Sequence, residues 1–111
     1  MTEVIYMPET MDIVVRGHSG SAEKGEDLVC AACSTLANTL KAVFQIQEAM
    51  QGYTSENAET ARFHAWVDLA TPLAAQAFVV METIATGYEA LAEQYPDYVS
   101  FKVVTEGGEE A

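Results

Sequence analysis

Positive charge is scarce in this 111-residue chain, where five Lys and Arg stand against 17 Asp and Glu for a formal charge of −12. Contacts to a phosphate backbone draw mainly on Lys and Arg, so charge argues against a direct nucleic-acid partner. A basic polypeptide is what such a field steers inward at low salt. Cysteine is scarce too: only Cys30 and Cys33 are present, three apart and too close to staple distant parts of a fold. The N-terminus, MTEVIYMPETMDIVVRG, lacks the basic start and continuous apolar run of a secretory signal. A reducing, cytoplasmic setting is the expectation. Long apolar runs are also missing. The most apolar stretch, Pro72 to Ala92, is broken by Gln76, Glu82, Thr83, Thr86 and Glu89, so no membrane span is expected. Half of the residues are nevertheless hydrophobic, enough at this length for one domain whose core needs no disulfide or metal.

Short β-branched and apolar runs at Glu3 to Met7 and Asp12 to Arg16 flank PET and predict a hairpin. From Asp27 to Gln51 no Pro or Gly intervenes, and Val29, Cys33, Leu36, Leu40 and Val43 recur at helical spacing. Gly52 is expected to end that helix. GYTSENAETA reads as a polar, acidic loop, after which RFHAWVDL alternates as a strand, with Phe63, Ala65, Val67 and Leu69 facing one way. Thr71 and Pro72 predict the start of a second helix, with a stripe of Leu73, Ala77, Val80, Ile84, Tyr88, Leu91 and Tyr95, stopped by Pro96. Val99, Phe101 and Val103 alternate as a last strand. The expected architecture is α+β, a two-layer, four-stranded mixed sheet with two helices on one face, in the order β-β-α-β-α-β. It occupies residues 1–105 as a single domain, and residues 106–111 are expected to be an acidic disordered tail. The sheet's open face, with His64 and Trp66, is a candidate self-association surface.

Chemistry concentrates in GHSGSAEKGEDLVCAACS, Gly17 to Ser34, which holds a histidine and a cysteine twelve positions apart. On a helical wheel Cys33 lies about 40° from Val29, inside the core stripe, whereas Cys30 lies about 100° away at its edge. Cys33 reads as a small core hydrophobe. Cys30 is expected in the first helical turn, where N–H groups and the helix dipole favour a thiolate. Asp27, the natural N-cap, opposes part of that benefit. His18 follows Gly17 at a strand end, and the loop Ser19 to Glu26 returns the chain to the helix start, so both residues are expected at one sheet edge. Strict alternation puts His18 on the polar side, so Gly17 has to bend the backbone.

Spacing alone leaves four readings. His18 could take the proton of Cys30 and return it to a leaving amine, as in a thiol protease or acyltransferase. Cys30-Ala-Ala-Cys33 could be a disulfide-exchange motif, although the usual flanking aromatic, Gly and Pro residues are missing. Zinc would have only Cys30, Cys33, His18 and the distant His64 as ligands. A surface histidine and a helix-start cysteine with no joint task is the fourth.

GHSG, a short loop, and GEDLVCAACS resemble the ribosomal-processing cysteine proteases, whose pattern is Gly-His-(Ala or Ser)-Gly followed by (Gly)-x-Asp-(Ile or Leu)-Val-Cys-Ala-x-x-Ser. AEQYPDYV, Ala92 to Val99, is similar to that family's exit from its second helix. The resemblance makes residues 1–105 a cysteine-protease-like domain. It implies a small cytoplasmic bacterial enzyme, usually a homodimer, that removes an N-terminal extension from a large-subunit ribosomal protein. It needs no cofactor or metal. Carried over by position, Cys30 is the nucleophile and His18 its base, with Gly17, Gly20, Gly25, Asp27 and Ser34 as supporting and substrate-loop positions. On this reading helix-start N–H groups stabilise the oxyanion, and the loop Ser19 to Glu26 opens to admit a peptide. Asp27 caps the helix, and Ser34 bonds back to a helix carbonyl or touches substrate. The chain departs from the family at Cys33, where many members carry a small or β-branched apolar residue, and in its short hairpin and strong acidity. The alternatives are a non-catalytic protein-binding module that uses the open sheet face, and a divergent cysteine peptidase with a non-ribosomal substrate.

Overall fold

The computed structural model describes residues 1–17 and 24–105. Strands β1 (Thr2–Met7) and β2 (Asp12–Arg16) form the expected hairpin, followed by helix α1 (Lys24–Ile46) and a 3-10 turn at Glu48–Met50. Strands β3 (Gly52–Asn57) and β4 (Arg62–Val67), helix α2 (Ala74–Gln94) and strand β5 (Val99–Val103) follow among the described residues, and the tail expected at 106–111 lies outside them. The sheet has five strands, in the order β3-β4-β2-β1-β5. It is mixed: β1 and β5 run parallel, and the other pairs are antiparallel. The four-stranded expectation is thus corrected by β3, which lies within the stretch read as a loop.

The reason β3 hides in the sequence is physical. It is an edge strand whose residues are mostly exposed, so GYTSEN carries no apolar alternation. Its turn does carry a signal, since Asn57 Oδ1 accepts the N–H groups of Glu59 and Thr60 at 3.0 and 3.2 Å, closing an Asx turn. Ala61, at φ +49, delivers the chain into β4, as Met11, at φ +51, delivers it into β2.

Apolar alternation packs one face of the sheet. Val4, Tyr6, Ile13, Val15, Phe63, Ala65 and Val67 meet Val29, Cys33, Ala37, Leu40 and Phe44 of α1, and Ala77, Met81, Ile84, Ala85 and Tyr88 of α2, in one core. The stretch Leu28–Ile46 of α1 is long and apolar enough by composition to cross a membrane. Here its apolar stripe is spent on the sheet instead. Both ends of α1 differ from expectation: it begins at Lys24 rather than Asp27 and stops at Ile46. Gly52 does not cap the helix. It opens β3, where an added Cβ would sit 2.2 Å from the Phe44 ring, so glycine lets strand and helix approach closely. Thr71 does not cap α2 directly; its hydroxyl donates to Ala49 O and accepts from Leu73 N–H, while the N-cap is Leu73.

Burial, and for Tyr6 a hydrogen bond to Glu82 as well, hold the phenols of Tyr6 and Tyr88 well above their ordinary value. A raised folded-state value means that this stability is complete below the unfolded tyrosine value of 10.0 and is lost as pH rises above it. Denaturant midpoints should therefore fall as pH climbs through 10, and the fall should be shallower in Tyr88→Phe.

Candidate active site

A cleft of about 380 Å³ opens between α1 and one end of the sheet. Its helical wall is Cys30, Ser34 and Asn38 at successive i, i+4 positions, with Cys33 and Ala37 beside them. Thr2, Val15 and Gly17 form the sheet side, and the β3–β4 hairpin end supplies Glu56, Asn57, Ala58, Ala61, Arg62 and Phe63. Lys41 Nζ reaches Glu56 Oε2 at 3.3 Å and so ties the helix to this hairpin across the rim.

Both cysteines are thiols, Cys30 half-buried and Cys33 buried. The wheel orders their exposure correctly, but the cleft reaches both sulfur-bearing residues. Burial foremost, then the negative charge available at Cys30, pushes the Cys33 thiol up to about 11. The Tyr88 hydroxyl donates to the Cys33 carbonyl at 3.0 Å and fixes this turn of α1 against α2.

Because α1 begins at Lys24, Cys30 falls in the second turn, not the first. Its N–H belongs to the helical ladder, and the dipole benefit, which fades beyond the first turn, is weaker than expected. The helix-start N–H groups lie about one turn before Cys30 rather than beside it. Asp27 is the fourth residue of the helix rather than its N-cap, and Gly25 is the second. Ser34 is exposed on the cleft wall, and the back-bonding hydroxyl in this part of the helix is that of Thr35, to Ala31 O at 2.9 Å.

Gly17 has a left-handed backbone, with φ at +80, and its N–H donates to Ala61 O at 2.9 Å. An added Cβ would meet Met1 O at 2.6 Å, so this turn tolerates only glycine. His18 and Gly20, with the rest of 18–23, lie outside the described residues.

His64 is placed elsewhere. Its Nε2 lies 2.6 Å from Asp12 Oδ1, its ring stacks on Trp66 at 4.7 Å, and Tyr53 follows Trp66 at 5.9 Å. These side chains occupy the sheet face opposite Phe63, Ala65 and Val67, which separates His64 from the cysteines. Among the described residues no group of three or more His, Cys, Asp or Glu is placed to hold a metal ion. The hairpin wall at residues 56–63 was missed in the sequence, and its one legible signal was the Asx turn at Asn57.

The fold is similar to that of an essential ribosomal processing protease, Prp, from S. aureus in complex with a substrate peptide. The two share 17% identity at a TM-score of 0.79, over 93% of this chain and 99% of that one. The same protease with a covalently linked product peptide gives 19% identity and a TM-score of 0.77, at the same coverage. SMU.848 from Streptococcus mutans is 25% identical at a TM-score of 0.74, over 95% of this chain and 93% of that one. No curated protein matches the chain. The family model described as cysteine protease Prp matches residues 2–100, nearly the whole of the folded chain, and the chain therefore belongs to the cysteine protease Prp family.

Proposed function

We propose that this protease is an endopeptidase that removes an N-terminal extension from a large-subunit ribosomal protein, with Cys30 as nucleophile and His18 as its base. The observation that carries the assignment is that Cys30, half-buried on the helical wall, shares one cleft with Gly17, the residue bonded to His18. His18 takes the thiol proton as the sulfur attacks the scissile carbonyl carbon, then delivers it to the departing amine. A thioester on Cys30 remains, and water activated by the same imidazole releases the acyl product. Ser34, exposed on the cleft wall, lies along the path of the peptide.

The substrate is supported by the similarity to the S. aureus ribosomal processing protease and by the charge of −12, which favours a basic protein over nucleic acid. A cytoplasmic homodimer that uses the open sheet face around Trp66 completes the proposal. The test pairs two measurements. An N-terminally extended ribosomal protein should be shortened by the wild type at one site. Alkylation of Cys30 at neutral pH should be faster in the wild type than in His18→Ala. An alkylation profile that is the same with and without His18 would remove the pair. An intact ribosomal protein beside rapid cleavage of another would move the substrate and leave the chemistry.

A further inference from the structure

Cys33 has no part in the proteolytic chemistry, yet it lines the same cleft as Cys30, one helical turn away. Residues three apart on a helix have Cβ atoms about 5–6 Å apart, whereas a disulfide wants roughly 3.5–4.5 Å. The turn therefore has to tighten by about an ångström or two to bring the sulfurs into bond. The intervening residues, Ala31 and Ala32, are small and unbranched, so no bulky side chain resists. One end of the turn is held, because the Cys33 carbonyl accepts the hydroxyl of fully buried Tyr88. The movement then falls on Cys30, the more exposed end. If the helical bond to Ala31 O stretches as the turn closes, the Thr35 hydroxyl already donates to that carbonyl.

We propose that Cys33 is the resolving thiol of Cys30, so that peroxide converts the pair to an intrahelical disulfide which switches the site off reversibly. The Cys30 thiolate attacks a peroxide oxygen, is oxidised by two electrons to the sulfenic acid, and releases hydroxide, or alkoxide from an organic peroxide. The Cys33 sulfur then attacks the Cys30 sulfur as its thiol gives up its proton, the S–S bond forms, and the hydroxide leaving Cys30 takes that proton as water. With hydrogen peroxide the sum is two thiols plus one peroxide giving one disulfide and two waters. A dithiol reductant returns both electrons and both protons.

The two sulfurs differ in the way this sequence needs. Cys30 meets the oxidant because it is half-exposed, whereas Cys33 is only 6% exposed and stays protonated, its value raised to about 11. Part of that rise comes from the Cys30 charge, and a neutral sulfenic acid removes it. Oxidation of the first sulfur therefore removes the smaller of the two causes, and burial, the larger, remains. A disulfide that strains its helix is among the easily reduced kind, which suits a switch rather than a staple. Without a resolving partner, a sulfenic acid proceeds to sulfinic acid and the site is lost.

The disulfide stands on the geometry, and only its effect on cleavage rests on the proposed role of Cys30. The test treats the intact protein with hydrogen peroxide, blocks remaining thiols and follows the tryptic peptide Gly25–Lys41, which holds both cysteines, by mass. In the wild type this peptide should lose two hydrogens, and dithiothreitol should return its mass and the cleavage rate. Cys33→Ala and Cys33→Val, each compared with itself before peroxide, should gain two oxygens on Cys30 and recover about tenfold less activity after dithiothreitol. Irreversible oxidation of wild-type Cys30 with no disulfide overturns the inference, and that measurement needs no variant to fold. A disulfide that forms without altering cleavage leaves the resolving role standing and removes Cys30 as nucleophile.

Discussion

Cys30→Ala should reduce kcat/KM for an N-terminally extended ribosomal peptide to background, a loss on the order of 10⁴-fold or more, because the covalent route disappears with the sulfur. The melting curve should barely move, since Cys30 lies at the edge of the core and loses a single heavy atom. His18→Ala should be nearly as inactive at neutral pH but should behave differently with pH. Lacking its base, the thiol has to ionise by itself, so the residual activity should keep rising with pH. The double variant should be no worse than Cys30→Ala, because residues that act as one unit are not additive. Wild-type cleavage by Cys30→Ala would put the nucleophile elsewhere in the chain.

Tyr88→Ala should be the most damaging core change. Tyr88 is fully buried and its hydroxyl donates to the Cys33 carbonyl, so truncation removes a ring from between the helices and deletes that bond. Loss of a buried aromatic ring costs about 3–5 kcal/mol, against a total stability of about 5–15 kcal/mol for a domain. The melting temperature should therefore fall steeply, with little stability left if the total lies at the lower end of that range. Tyr88→Phe isolates the hydroxyl. The Cys33 carbonyl sits inside the helical ladder of α1, so the expected cost is only about 1 kcal/mol, read as a lower denaturant midpoint at unchanged slope. Equal losses in the two variants would show that the hydrogen bond, not the ring, holds α1 to α2.

Legibility differed by element for reasons that can be traced. The β1–β2 hairpin, β4, α2 and β5 announce themselves because each carries apolar or β-branched residues in a short run or at a period of 2 or 3.6. Strand β3 has no dry face worth the name, so its polar residues looked like a loop. The start of α1 was hidden because KGED holds a glycine and charges, which read locally as a turn; the helix includes them. That three-residue difference places Cys30 in the second turn rather than the first, although the residue itself is identified by its motif.

By itself the sequence determined the two-layer class, the unequal burial of Cys30 and Cys33, and the His18–Cys30 motif, all of which rest on local spacing or residue type. Tertiary structure alone decided the five-stranded order and the cleft it makes. It also decided that His64 is engaged with Asp12, 52 positions away, on the face turned from the cysteines. Such pairings depend on which strand edges meet once the chain collapses, and a local period of hydrophobic residues carries no record of its distant neighbour.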